Sequence, residues 1–400
     1  MRIPEGTSLG STIGNQEGAG NVNARERFLA VTRFEQPDYV PLLSCSSIDG
    51  PNMYTVGTWH RTQGFPTWVD SNSRWDVFWG MTRLTLWAPA GPGEPMPKPE
   101  VLARDEVYET LRYADGRVIR QRIGQTATNF YGMPQFIEFP CKTREDWETY
   151  RDRWIPTGDG VYPDNWDELV GGWEHRDFPL GVPIPSSVSA LRSLFGTQRA
   201  CSLFYTDPDL VRGILRHCRQ RWMRMVRKLV SDVSLDFAGA GEDFCYRNGC
   251  LVSPALFREF IVPHYRELTR FLRGHGIQFV FVDSDGFVEG VIGLLEKAGV
   301  NGLEAFEVRA GNDILRVREA HPSFVIRGGL DKFAMDSPHP AWAIREVEEK
   351  VPALLDEGGY FPGIDHGLPP TSHWRTYLRF MERLHSLCRN PEGTFNQLFG

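Results

Sequence analysis

Carboxylates follow apolar runs repeatedly in the second half of this sequence, and that placement is the first sign of chemistry. Glu242 and Asp243 come just after the run at 235–239, and Asp283 and Asp285 after 277–282. Glu304 lies inside the run at 302–306, with Glu307 and Arg309 behind it. Arg327 ends the run at 324–327 and is followed by Asp331 and Lys332, while Asp365 and His366 follow 359–362. An Asp-x-Asp at a strand end turns both side chains the same way, which suits a divalent cation or paired acid–base work. His366 is the best single candidate for proton transfer or metal ligation near neutral pH. Glu304 needs a partner or a ligand, because an unpaired buried carboxylate costs on the order of several kcal/mol.

The reading is therefore a catalytic set of Asp283, Asp285, His366 and Glu242, and a substrate-binding set of Asp243, Glu307, Arg309, Arg327 and Asp331. If a metal is bound, zinc or another divalent ion, its ligands come from Asp283, Asp285, Glu304 and His366. Each residue also has a structural reading. Glu242, Asp243 and Asp331 could cap the segments behind them, and Asp283 and Asp285 could be turn residues before Gly286. Glu307 could pair with Arg309. Arg327 is either a structural ion-pair partner or a fork for a substrate carboxylate. Cys245 and Cys250 lack a second pair, so their spacing is a weak zinc signal. Trp59, His60, Trp68, Trp75, Phe78 and Trp79 crowd an early stretch and read as core or lid packing sooner than as a cofactor box.

Strands at the five runs must alternate with helices to position these groups. Apolar spacing of three and four predicts helices over 254–273, 288–298, 312–320, 341–357 and 372–387. Pro352 predicts a kink or break in the fourth, and Gly274, Gly276, Gly299 and Gly358 stand where helices stop. Five strand–helix units in a row imply a parallel sheet covered by helices. The fold expected is α/β, a (β/α)₈ TIM barrel, with a doubly wound sheet as the alternative. No glycine-rich phosphate loop follows any strand, which favours the barrel. In the first half a helix is predicted over 24–33, a strand over 39–44 and a weaker, proline-bearing one over 179–184. Ala114-Asp-Gly116 marks a hairpin within 108–122, and residues 80–135 read as a β-rich insertion near the barrel mouth. Thr206-Asp-Pro208 opens a long helix.

The whole chain sets limits on this. Its 400 residues suit one barrel with an insertion, and 41% hydrophobic with 24% charged residues suits a sizeable core. A net charge of -7 argues against nucleic-acid binding, which needs a basic face. No run is long enough to span a bilayer. Residues 1–24 read as a flexible tail ahead of a domain over 25–400. The seven cysteines have no regular spacing and suggest reduced thiols in a cytoplasm.

The sequence also resembles the uroporphyrinogen decarboxylase superfamily from about Arg25 to Leu387. The resemblance rests on Arg25-Glu-Arg-Phe-Leu-Ala-Val, Pro37-Asp-Tyr-Val-Pro41, Gly241-Glu-Asp-Phe, Asn248-Gly249 and Ser253-Pro254. Gly328-Gly-Leu-Asp-Lys332, Glu357-Gly-Gly-Tyr360 and Asp365-His366-Gly367 complete it. It implies a (β/α)₈ barrel with a deep cleft and either of two chemistries. Porphyrinogen decarboxylases carry an early Arg-Gln-Ala-Gly-Arg stretch, where this chain has Leu43-Ser-Cys-Ser-Ser-Ile-Asp49. Corrinoid-linked methyltransferases bind zinc through His-x-Cys and a late Cys, where this chain has Asp283-Ser-Asp285 and the region of Asp365 and His366. The resemblance thus implies a methyltransferase-like enzyme with an oxygen-rich site. It would move a methyl group between a small methylated compound and a corrinoid on a partner protein. The alternatives are a decarboxylase of a cyclic or aromatic acid, with Arg327 or Arg309 holding the carboxylate, and a catalytically silent binding relative. Whether the chain forms a homodimer is left open.

Overall fold

Side-chain volume inside a ring of parallel strands explains most of this architecture. The computed structural model describes residues 22–44, 53–89, 98–124, 133–154, 161–395 and 397. Most of the expected tail and the segment 45–52 lie outside the described residues. Strand β1 (Leu42–Ser44) pairs in parallel with β2 (Met81–Arg83), and Leu84 carries the chain on into β3 (Thr85–Leu86). An antiparallel sheet follows, with β4 (Glu100–Arg104), β5 (Tyr108–Arg112), β6 (Val118–Arg122) and β7 (Gln135–Glu138) in sequential order. The parallel ring resumes with β8 (Leu180–Pro183) and β9 (Phe237–Gly241). After a hairpin of β10 (Cys245–Tyr246) and β11 (Gly249–Cys250) come β12 (Phe279–Ser284), β13 (Gly302–Ala305), β14 (Val325–Arg327) and β15 (Tyr360–Phe361).

The sheet order is β15-β14-β13-β12-β9-β8-β3. Since β2 and β3 form one run that pairs with β1 on one side and β8 on the other, eight strand positions follow one another. Leu43, Leu84, Phe281, Val325 and Phe361 line one interior void of only about 10 Å³, so strands from both ends of this order meet in a packed core. Glycines opposite large rings make this possible. A Cβ on Gly181 would stand 2.4 Å from the Phe237 ring, and one on Gly302 2.9 Å from Phe279. Phe28, on the helix Ala24–Thr32, plugs the ring, with ring centroids 5.4 Å from Phe361 and 5.5 Å from Phe237. At the amino end of β9, buried Asp236 accepts from Leu180 N at 3.0 Å, Arg176 at 2.9 Å and Arg25 at 2.8 Å.

Several expectations need correction. Met81–Leu86 belongs to the barrel, so the insertion begins after Leu86 and not at 80. The strand predicted at 235–239 runs from Phe237 to Gly241, because Asp236 is turned to its cations. The strand predicted at 277–282 extends through Asp283 and Ser284. Pro352 does not break its helix, which runs unbroken over Ala341–Glu357. One expectation holds for most of its residues: Trp59, Trp75, Phe78 and Trp79 are core, at most 1% exposed and packed around Phe65 and Tyr377, whereas Trp68 is 45% exposed.

The antiparallel sheet stands at the mouth end of the barrel. Arg144, just past it, pairs at 2.5 Å with Asp207, which caps the helix Pro208–Asp232 through Leu210 N at 3.1 Å. That helix runs back to the start of β9, so its own start lies beside the carboxyl ends of the strands.

Candidate active site

Parallel pairing turns in-register residues to the same side of a sheet. Phe237, Phe279 and Phe281 point into the ring, so their register partners do too. One layer higher, Gly241, Asp283 and Glu304 are in register, and Arg327 is in register with Phe361. Asp283, Glu304 and Arg327 therefore share an inward layer at the carboxyl end. Glu304 and Arg327, 3% and 7% exposed, form a direct ion pair. The partner that buried Glu304 demanded is a neighbouring strand's arginine, and Arg327 is committed to it. The structure thus shows the ion-pair reading of Arg327.

Above this layer sits the mouth. His366 Nε2 stands 3.5 Å from Asp285 Oδ1, and both side chains are partly exposed. His366 Nδ1 accepts the Gly367 backbone N–H at 2.8 Å, which fixes the proton of the neutral ring on Nε2, toward Asp285. Burial raises the Asp285 carboxyl above the usual carboxylate range; His366 pulls it down, while Glu307 and Asp243 push it up. Glu307 accepts the Gly286 N–H at 2.9 Å and lies 3.5 Å from the Lys332 ammonium. It does not pair with Arg309. Asp365 is fully buried and accepts from Val308 N at 2.8 Å and Lys332 N at 3.1 Å. Burial pushes its pKa up to about 6. Asn312 binds the β12 and β13 loops together through Gly286 O at 2.8 Å and Glu307 O at 2.9 Å.

Glu242 is a correction to the catalytic set. It is 1% exposed and accepts from Ser187 N and Oγ, from Ser189 N at 3.0 Å and from the Tyr265 hydroxyl at 2.6 Å. Its oxygens are occupied in bracing the β8 loop to the end of β9. Asp243 is more exposed and pairs with Arg192 at 3.2 Å. Asp331 caps the turn Lys332–Asp336 through Phe333 N at 2.9 Å and accepts from Arg309 Nε at 2.9 Å. Arg309 also lies over the rings of Phe333 and Trp342, both at 5.3 Å. These three residues, with Arg247 and Glu307, line a cleft of about 530 Å³.

The residues proposed to hold a metal are not gathered for it. Glu304 is turned to Arg327, and among the described residues no group of three or more His, Cys, Asp or Glu side chains is placed to hold an ion. This arrangement does not fit a zinc or harder-ion centre. Lys332 and Asp365 were missed as site residues, although both lie within the stretches that carried the resemblance. Ser187, Ser189 and Tyr265 had no signal, since only the fold brings them to Glu242.

The sequence pattern of the uroporphyrinogen decarboxylase (URO-D) family matches residues 174–387. That is more than half of the chain, and the chain belongs to this family. The matched segment holds β8, β9 and β12–β15, with all of the mouth residues named above. A solved methyltransferase from Methanosarcina mazei is similar at a TM-score of 0.55 and 14% identity, over 92% of this chain and 99% of that one. At that identity the likeness concerns the fold. No curated protein matches the chain. Among the described residues no helix is long and apolar enough to cross a membrane.

Proposed function

We propose that this chain is an enzyme that takes the methyl group from a small, uncharged methoxy compound and passes it to a corrinoid carrier on a partner protein. The observation that carries the reading is the His366–Asp285 pair, set in a mouth where carboxylates outnumber cations. Breaking the methyl–oxygen bond leaves the electron pair on oxygen, and an alkoxide or phenoxide is a poor leaving group without a proton. Asp285, whose carboxyl burial raises above the usual carboxylate range, is placed to supply it, and the His366 Nε2–H beside its Oδ1 steadies the carboxylate left behind, a contribution worth about 10²- to 10⁴-fold in rate. The corrinoid supplies the nucleophile that receives the methyl group, and none of the residues above is assigned to holding it. Asp243, Asp285, Glu307 and Asp365 face Lys332 and Arg192, an excess of negative groups that disfavours an anionic substrate.

The test is methyl transfer from a panel of methoxy compounds to reduced free cobalamin, followed by absorbance. Transfer that Asp285→Asn abolishes supports the reading. No transfer from any compound, with the fold intact, rejects it.

One observation favours decarboxylation of an aromatic acid instead. Arg309 and Arg247 share the 530 Å³ cleft with Phe333 and Trp342, a cationic and aromatic lining that suits a flat anion. Carbon dioxide release from aromatic acids in the same panel would move the assignment there.

A further inference from the structure

We infer that Cys245 and Cys250 are a reversible dithiol–disulfide pair, and that its oxidation ties down the loop carrying Asp285. The two residues are cross-strand partners in the β10–β11 hairpin. Tyr246 and Gly249 pair next to the two-residue turn, and on the far side Leu251 N donates to Phe244 O at 2.7 Å. Hydrogen-bonded and non-hydrogen-bonded pairs alternate along an antiparallel ladder, so Cys245 and Cys250 occupy the non-hydrogen-bonded position between them. Opposed Cα atoms there are about 4.5 Å apart, within the roughly 4.4–6.8 Å that a disulfide spans. The two thiols are near enough for each to shift the other's titration.

The two sulfurs are not equivalent. Cys245 is 4% exposed, whereas Cys250 is partly open to solvent. The neighbouring Cys245 lowers the Cys250 thiol, and the neighbouring Cys250 together with burial raises Cys245. Cys250 is therefore the attacking thiolate. With a small disulfide such as oxidised glutathione, its sulfur bonds to one glutathione sulfur and the other leaves as a thiolate. Cys245 then gives up its proton and attacks the Cys250 sulfur of the mixed disulfide, and the second glutathione leaves. Two thiols are oxidised to one disulfide, and one glutathione disulfide is reduced to two thiols.

The hairpin is in contact with the mouth. Cys245 N donates to Ser284 Oγ at 3.4 Å, and Phe287 N to Tyr246 O at 3.1 Å. Gly286 lies so close that a Cβ on it would be 2.4 Å from Tyr246 Cα. Cross-linking the hairpin removes its freedom to open away from the residues on either side of Asp285.

The experiment equilibrates the folded full chain in glutathione buffers of graded ratio, traps the thiols by alkylation and maps the peptides by mass. The expected result is a Cys245–Cys250 disulfide with a single midpoint, unchanged in Cys201→Ser. Cys245→Ser should stop at a glutathione adduct on Cys250, and Cys250→Ser should take up no glutathione at Cys245. Hydrogen exchange over 284–287 should slow on oxidation. Thiols that stay reduced in oxidised glutathione, or a Cys201–Cys250 bridge, would overturn the pairing. Unchanged exchange at 284–287 would overturn the link to the mouth.

Discussion

Arg327 at the end of β14 closes on Glu304 of the neighbouring β13, and the pair is the buried ionic centre of the barrel's upper layer. Each charge is tolerated there because the other is present. Removing one partner strands a charge, which costs about 3–5 kcal/mol, whereas replacing both by apolar groups is often neutral. Glu304→Gln and Arg327→Met should each destabilise the protein by about 3–5 kcal/mol in urea unfolding. The double variant should recover most of that loss. Strictly additive losses would show that the two side chains do not depend on each other.

The mouth makes a different prediction, because His366 and Asp285 are partly exposed and hold up little of the core. Asp285→Asn should leave the free energy of unfolding within about 1 kcal/mol of the parent and lower turnover by at least about 100-fold. His366→Gln should lower turnover less, since Asp285 keeps its proton and loses only the Nε2–H that steadies its carboxylate. An Asp285 variant that unfolds instead would assign the residue to structure.

How far the sequence reached depends on what each residue had to do. The late strands were legible because both of their faces are buried, so Phe279 to Val282 or Val325 and Ile326 read as apolar runs. Their ends were less legible: Asp283 and Ser284 end the apolar run at 282, yet the backbone ladder continues through them. Met81–Leu86 was absorbed into the insertion because it is short and polar, and Arg83 is satisfied by Asp76 on the preceding helix. The carboxylates after the strands were visible one by one. Which of them meet was not, since register and loop packing bring Arg327 to Glu304, Tyr265 to Glu242 and Asp285 to His366. Those contacts set the His366–Asp285 pair at the mouth apart from the ionic pair in the core.

Burial of Asp365 predicts a pH dependence of stability with a definite sign. Its carboxyl rises from 3.8 to about 6 on folding, so the folded chain binds this proton more tightly than the unfolded chain. Stability from this group is present in full below about pH 4 and is lost as the pH climbs through about 6. The loss is on the order of 3 kcal/mol for a shift of about two units. Asp365→Asn has no such proton. Urea unfolding of parent and variant from pH 4 to pH 7.5 should show the parent's stability falling relative to the variant's over that window. A constant difference would mean that the Val308 and Lys332 N–H groups hold Asp365 ionised throughout.

Gly286 connects the mouth to the hairpin, and its replacement tests both. Its φ is +83°, in the region where a Cβ is strained, and the added Cβ would fall 2.4 Å from Tyr246 Cα and 2.5 Å from Tyr246 N and C. All three atoms are backbone, so no side chain can swing away. Gly286→Ala must therefore push the Asp285 loop from the hairpin and loosen the Glu307 contact to Gly286 N. The expected cost is about 2 kcal/mol or more, from the backbone strain and the overpacking together. Turnover should fall further than stability explains, because Asp285 moves relative to His366. The matching control is Gly249→Ala: its φ is +113°, but nothing lies within 4 Å of the added Cβ, so only the strain remains. If Gly249→Ala damages turnover as much as Gly286→Ala, the tight approach at Gly286 is not what sets Asp285 in place.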